Sequence, residues 1–169
     1  SDWYIDKRTF KAVKKSLPNI IDFYNNQGQH NPVDNKLHKV IKEPLKDVYT
    51  VPFFSEKFCS ILLDEIHNLE QFYGFKPNPY EDTLRQIPEI TLQDNCPEIY
   101  HSLFQTIYTR GNPIYLTIWN RHVNGGGIQK SNYNLKDNKQ GAWHPDASDD
   151  ISMVVPLITG EYEGGGTES

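Results

Sequence analysis

The chain has 169 residues, 37% of them hydrophobic, 12% aromatic and 23% charged, with 17 Lys and Arg against 22 Asp and Glu for a formal net charge of −5. That length suits one domain around one core, and the apolar content is too high for a chain that stays disordered. No apolar run approaches the roughly 18–20 residues of a membrane-spanning helix, mild acidity argues against nucleic acid as the main partner, and two cysteines, Cys59 and Cys96, make no disulfide scaffold, although one bridge between them stays open.

In chain order, Phe10, Val13, Leu17, Ile20, Ile21 and Tyr24 recur at spacings of three and four and predict an amphipathic helix, bent or restarted at Pro18. Residues 25–35 read as a polar loop, and Leu37, Val40 and Ile41 as a short helical turn ended by Pro44. The β-branched and aromatic run from Val48 to Phe54 predicts a strand, with Pro52 suited to an edge or an end. Ser55 is a good N-cap and Glu56 a favourable first-turn acid for a helix that runs to about Tyr73 and closes at Gly74. After an irregular loop over 76–86, residues 87–92 alternate as a short strand, and Pro97 opens a helix striped by Ile99, Tyr100, Leu103, Phe104 and Ile107.

In the second half, Gly111-Asn112-Pro113 reads as a turn. Ile114, Leu116 and Ile118 alternate with Tyr115, Thr117 and Trp119 and predict a strand ending near His122. Residues 123–142 form a long polar loop or β-excursion, a length that compact domains keep mostly for function or disorder. Ile151, Met153, Val155 and Leu157 predict one face of a second strand, and Glu161 to Gly166 a tight turn. Short connections there favour hairpins over βαβ crossovers. The expected class is α+β, a helix-backed β-sandwich or jelly-roll-like core. Both ends read as interior to a longer protein: the chain opens on Ser1-Asp2-Trp3 without Met or a signal peptide, and its last glycines read as a turn into a strand.

The best candidate for chemistry is Trp143-His144-Pro145-Asp146. In an extended stretch, residues two apart point the same way, so His144 and Asp146 present an imidazole and a carboxylate to one point. That is two thirds of the two-His-one-carboxylate site that leaves positions open on Fe(II). The bland reading is a surface His beside a turn Asp. Position favours the ligand reading, because the pair follows a long loop and directly precedes a core-strand candidate. Arg121 suits a carboxylate held bidentately, or a strand-end surface residue. His30, His38, His67 and His101 read as surface or cap residues, Cys59 as a small buried hydrophobe, and Asp149-Asp150 as a solvated turn or a charge near the substrate. Dinucleotide, phosphate-loop, serine-hydrolase and zinc-finger signatures are all absent from the sequence.

The order His144-Pro145-Asp146-Ala147-Ser148, a strand, then Glu161-Tyr162-Glu163-Gly164-Gly165-Gly166 resembles the catalytic domain of the procollagen-lysine 2-oxoglutarate 5-dioxygenases, the collagen lysyl hydroxylases. Residues 47–59, Asp47 through Cys59, look like that family's strand-to-helix lead-in, and residues 87–92 are similar to its next strand. The resemblance covers about Asp47 to the end, with gaps. It implies an N-terminal helical extension over 1–46 and a partial Fe(II)/2-oxoglutarate dioxygenase domain over 47–169.

The implied fold is a double-stranded β-helix, a jelly-roll or cupin-like core backed by helices and lacking its last strands. The implied cofactors are Fe(II), 2-oxoglutarate and ascorbate. The implied reaction hydroxylates lysine in a collagen-like polypeptide to 5-hydroxylysine, with succinate and CO2 as co-products. His144 and Asp146 match the iron ligands. Arg121 and His122 sit where the family has Arg-Tyr at the end of a core strand and are the implied cosubstrate contacts, with His in place of Tyr. Pro145 replaces a common His, Asp149 and Asp150 replace an uncharged pair, and the 124–142 loop looks longer than usual. The distal His ligand and the 2-oxoglutarate-binding Arg would lie beyond Ser169, since neither His nor Arg follows His144. The Asn-, Lys- and Ile-rich composition fits a divergent member, with a viral source one reading; the compartment is then a host cell or virion, or the endoplasmic reticulum lumen if like animal relatives. A homodimer stays open. The alternatives are a related hydroxylase of prolyl or other protein substrates, and a catalytically incomplete binding fragment.

Overall fold

The computed structural model describes residues 2–25, 36–74, 76–77, 88–131 and 151–157, and its backbone divides into two units, one of residues 1–59 and 102–125, the other of residues 60–101 and 126–169. The first unit is built on helix α1 (Lys7–Asn25), which runs unbroken through Pro18. Its start is set by Asp6, whose carboxylate accepts the Arg8 N–H at 2.8 Å in the manner of an N-cap. Thr9, Ala12, Val13 and Ser16 recur at spacings of three and four, so one face is apolar or small and is buried. The Thr9 hydroxyl donates to the Pro52 carbonyl, and Ser16 Oγ accepts the Lys36 N–H at 3.1 Å, so both buried hydroxyls are satisfied.

A 3-10 turn (Lys36–Lys39) packs on α1 and places Leu37, fully buried, against it. The chain then forms a hairpin of β1 (Lys42–Leu45) and β2 (Val48–Thr50), joined through Lys46 and Asp47, the latter at φ 63°. Residues 53–55 run back along the N-terminus: Asp6 N–H donates to Phe53 O at 2.8 Å, Ser55 N–H to Tyr4 O at 2.9 Å, and Ile5 bridges Phe54. Trp3, Tyr4, Phe54 and Phe58 meet there edge-on or tilted, at centroid distances of 4.8–6.3 Å.

Helix α2 (Glu56–Tyr73) begins and ends as its sequence predicts. Ser55 Oγ accepts the Phe58 N–H at 3.2 Å, and Gly74, at φ 65°, donates its N–H to Glu70 O at 3.0 Å. The second unit holds an antiparallel sheet in the order β3 (Lys76–Pro77), β4 (Pro88–Thr91), β5 (Gln129–Ser131), with Glu89 opposite Ser131 and Thr91 opposite Gln129. A single helical turn, α3 (Leu92–Asn95), leads into α4 (Pro97–Thr106) with Pro97 at its first position. Among the described residues of this unit, Ile90, Leu92, Cys96, Leu62 and Ile66 are the buried apolar ones, and Lys130 reaches Glu70 at 2.6 Å.

Four further expectations are corrected. Residues 114–118 are not a strand: α4 passes through a π-helical segment (Ile107–Gly111) into helix α5 (Asn112–Trp119). The run is apolar on every side, and a short apolar run does not separate a strand from a buried helix. Pro113 in the first helical turn was the discriminating residue. Gly111-Asn112-Pro113 is accordingly helical, not a turn, and a Cβ on Gly111 would meet the Tyr115 ring at 3.0 Å. Pro44 does not end a helix but sits within β1, whose residues are all exposed, a position that tolerates a missing N–H. Residues 151–157 alternate in exposure as expected, with Ser152 and Val154 outward, yet they form no strand among the described residues. The described residues thus carry helices and two small antiparallel sheets, an α+β mixture. Of the loop expected over 25–35, Asn25 belongs to α1 and residues 26–35 lie outside the described residues, as does the turn over 161–166.

Candidate functional site

His144 and Asp146 lie outside the described residues, as do His30, Asp149 and Asp150. Arg121 and His122 are described. They follow α5, where a strand end was expected. Asn120 takes the left-handed conformation at φ 54° and closes the helix with its N–H on Leu116 O at 3.1 Å. Asn and Asp adopt that conformation more readily than other side-chain-bearing residues.

Three residues on, the buried Asn112 side chain clamps Val123 from both sides: Nδ2 donates to Val123 O at 2.9 Å, and Val123 N–H donates to Oδ1 at 2.7 Å. Arg121 and His122 are thereby tethered at both ends on an exposed link, with the His122 ring 6.0 Å from Tyr108 and nearly perpendicular to it.

The remaining titratable candidates divide simply. His38, His67 and His101 are exposed. Cys59 is half-buried and Cys96 buried, both are free thiols, and burial pushes the Cys59 thiol above its ordinary value. Among the described residues no three or more His, Cys, Asp and Glu side chains group as a metal site. No helix among them is long and apolar enough to cross a membrane.

One charged network was not legible in the sequence. Arg110, in the π-helical segment, donates to Asp2 at 2.6 Å and lies over the Phe10 ring at 5.8 Å, while Tyr4 OH also donates to Asp2 at 3.0 Å. Partial burial works to raise the Asp2 carboxyl, but the bonds from Arg110 and Tyr4 outweigh it and hold it below its ordinary value. Arg110 Nε is buried without a hydrogen-bond partner. The pair is separated by 108 positions, and no local spacing signals such a contact. No family model matches the chain, and no curated protein matches it.

Proposed function

We propose that this chain carries part of the iron site of an Fe(II)- and 2-oxoglutarate-dependent hydroxylase acting on lysine in collagen-like polypeptides, built on a double-stranded β-helix. The single observation that carries the reading is motif order: the lead-in over 47–59, the strand over 87–92, then His144-x-Asp146-Ala147-Ser148 and Glu161-Tyr162-Glu163-Gly164-Gly165-Gly166. Two structural facts support it. The lead-in folds as a strand, β2, running into a capped helix, α2, and β4 occupies Pro88–Thr91.

The donor chemistry fits the metal, since an imidazole and a carboxylate two residues apart are the ligand types of a facial Fe(II) site. His144 would bind as neutral imidazole and Asp146 as carboxylate. Pro145 between them fixes its own φ and removes one N–H, which limits how far the two side chains can drift apart. Fe(II) and 2-oxoglutarate, if bound there, would supply C–H hydroxylation with O2 as the oxidant: one oxygen atom would go to the substrate carbon and the other to succinate as CO2 is lost, with ascorbate as the reductant the resemblance implies. Arg121 and His122, on the link after α5, carry no part of the proposal.

The test is an anaerobic titration with Fe(II) and 2-oxoglutarate of a chain that extends past Ser169 far enough to include a distal His and Arg, read by the visible metal-to-ligand charge-transfer band. It is followed by mass spectrometry of collagen-like peptides carrying Lys or Pro. A band that His144→Ala and Asp146→Ala each abolish, with unchanged circular dichroism, supports the site. Lysine hydroxylation that persists in either variant overturns it. Hydroxylation of Pro but not Lys would move the substrate to the prolyl class.

A further inference from the structure

The overall charge of −5 conceals a division between the two units. The unit of residues 1–59 and 102–125 has 12 Lys and Arg against 7 Asp and Glu, a formal +5. The other has 5 against 15, a formal −10. The positive charge is also gathered locally. Lys7, Lys11, Lys14 and Lys15 of α1 are all exposed, and at 3.6 residues per turn they fall within an arc of about 100°. Thr9, Ala12, Val13 and Ser16 hold the opposite face in the core. Arg8 flanks the arc and is bonded to Asp6 at 3.0 Å. Among the described residues the four lysines have no ion-pair partner.

Such an arrangement works against the helix. Like charges three and four positions apart repel, and Lys7 sits in the first turn, where the helix dipole disfavours a cation. We propose that this face of α1 binds the phosphodiester backbone of a nucleic acid, without sequence preference. The four ammonium groups span about 12 Å along a rigid axis, at 1.5 Å per residue, and lysines on phosphates position a protein without reading bases.

Two other polyanions fit less well. An anionic membrane is bound by a helix that lays apolar residues into the lipid, and the apolar face of α1 is used in the core. An acidic protein, including the acidic unit of a second copy, would be met by an interface core poor in Lys and rich in aromatic anchors, and the arc offers only lysines. The whole-chain charge that argued against nucleic acid therefore averages over two units of opposite sign.

The test is fluorescence anisotropy of the 169-residue chain with a short random-sequence DNA duplex across a salt series. The expected affinity at low salt is no weaker than about 10⁻⁴ M, and log K against log salt should fall with a slope of roughly −3 to −4 for four phosphate contacts. Lys11→Glu/Lys14→Glu should bind at least about tenfold more weakly and lower the slope by about 2. Lys42→Glu/Lys46→Glu, with the same charge change at exposed positions of the β1–β2 hairpin, should stay within about threefold of the parent. The α1 variant relieves repulsion within the helix, so its circular dichroism should be unchanged. Absence of binding overturns the proposal, as does equal weakening by the two variants. So does a face that Lys11→Glu/Lys14→Glu disables for phosphatidylserine vesicles, or for self-association in sedimentation, while the duplex is ignored.

Discussion

The two units solve different problems. The unit of residues 1–59 and 102–125 is mainly helical and basic, and it buries Val13, Leu37, Ile114 and Tyr115 on α1, the 3-10 turn and α5, which pack on one another. The second is acidic and holds a sheet whose described strands are only two to four residues long, shorter than the usual five or six. Yet the second unit's sequence range contains His144, Asp146 and the glycine turn. Reactive groups commonly sit on connecting segments held by a better-packed scaffold.

The sharpest contrast is in the response to truncation. Leu37→Ala removes a fully buried side chain pinned against α1 and should destabilise by about 2–5 kcal/mol. Phe72→Ala, on α2 in the second unit, removes a ring that is 81% exposed and should stay within about 0.5 kcal/mol. Urea midpoints of the two variants decide this. A large loss at Phe72 would show that its exposed ring is covered in solution.

A smaller effect tests the link after α5. Asn112→Ala leaves the Val123 N–H and carbonyl without the bonds Asn112 gives them, a loss of about 1–3 kcal/mol for groups left half-buried. Asn112→Asp should be no better, since a buried carboxylate can accept the Val123 N–H but cannot donate to its carbonyl. If the midpoint does not move for Asn112→Ala, the clamp does not hold Arg121 and His122. Smaller again, Ser55→Ala should cost about 1 kcal/mol of α2 stability and Ser55→Gly only a few tenths, because Ser55 Oγ takes the Phe58 N–H.

Those last two sites show what the sequence could and could not convey. Ser55, Glu56 and Gly74 bound α2 through local chemistry, so the helix was legible to its ends. Pro97 marked the start of α4 in the same way. Residues 114–118 were not legible by period, because every face of that segment is apolar and the alternation of Ile with Tyr, Thr and Trp is equally a helix buried on most sides. Asn120 held part of the answer as the left-handed cap of α5. The four lysines of α1 stand at helical spacing in the sequence, but the whole-chain charge of −5 conceals the basic balance of their unit. Arg110 with Asp2 joins residues 108 apart, and only the fold brings them together.

That pair gives the last comparison, within the first unit. Asp2 and Asp6 both have folded-state values below the ordinary 3.8, Asp2 because the Arg110 and Tyr4 bonds outweigh its burial, Asp6 chiefly through its bond from Arg8. A carboxyl lowered by folding contributes stability that is full above its unfolded value and disappears as pH falls through its folded value. Acidification below about pH 4 should therefore weaken the fold, and Asp2→Asn and Asp6→Asn should each flatten that part of the profile while leaving an amide oxygen to accept the same bond. Salt separates the two. The Arg8 side chain is 70% exposed against 24% for Arg110, so screening should erase the Asp6 difference first and leave most of the Asp2 difference in place. Thermal midpoints at pH 3 and pH 6, in low and high salt, measure both. Identical acid slopes for the parent and Asp2→Asn would mean that the Arg110 bond does not outlast hydration of the carboxylate.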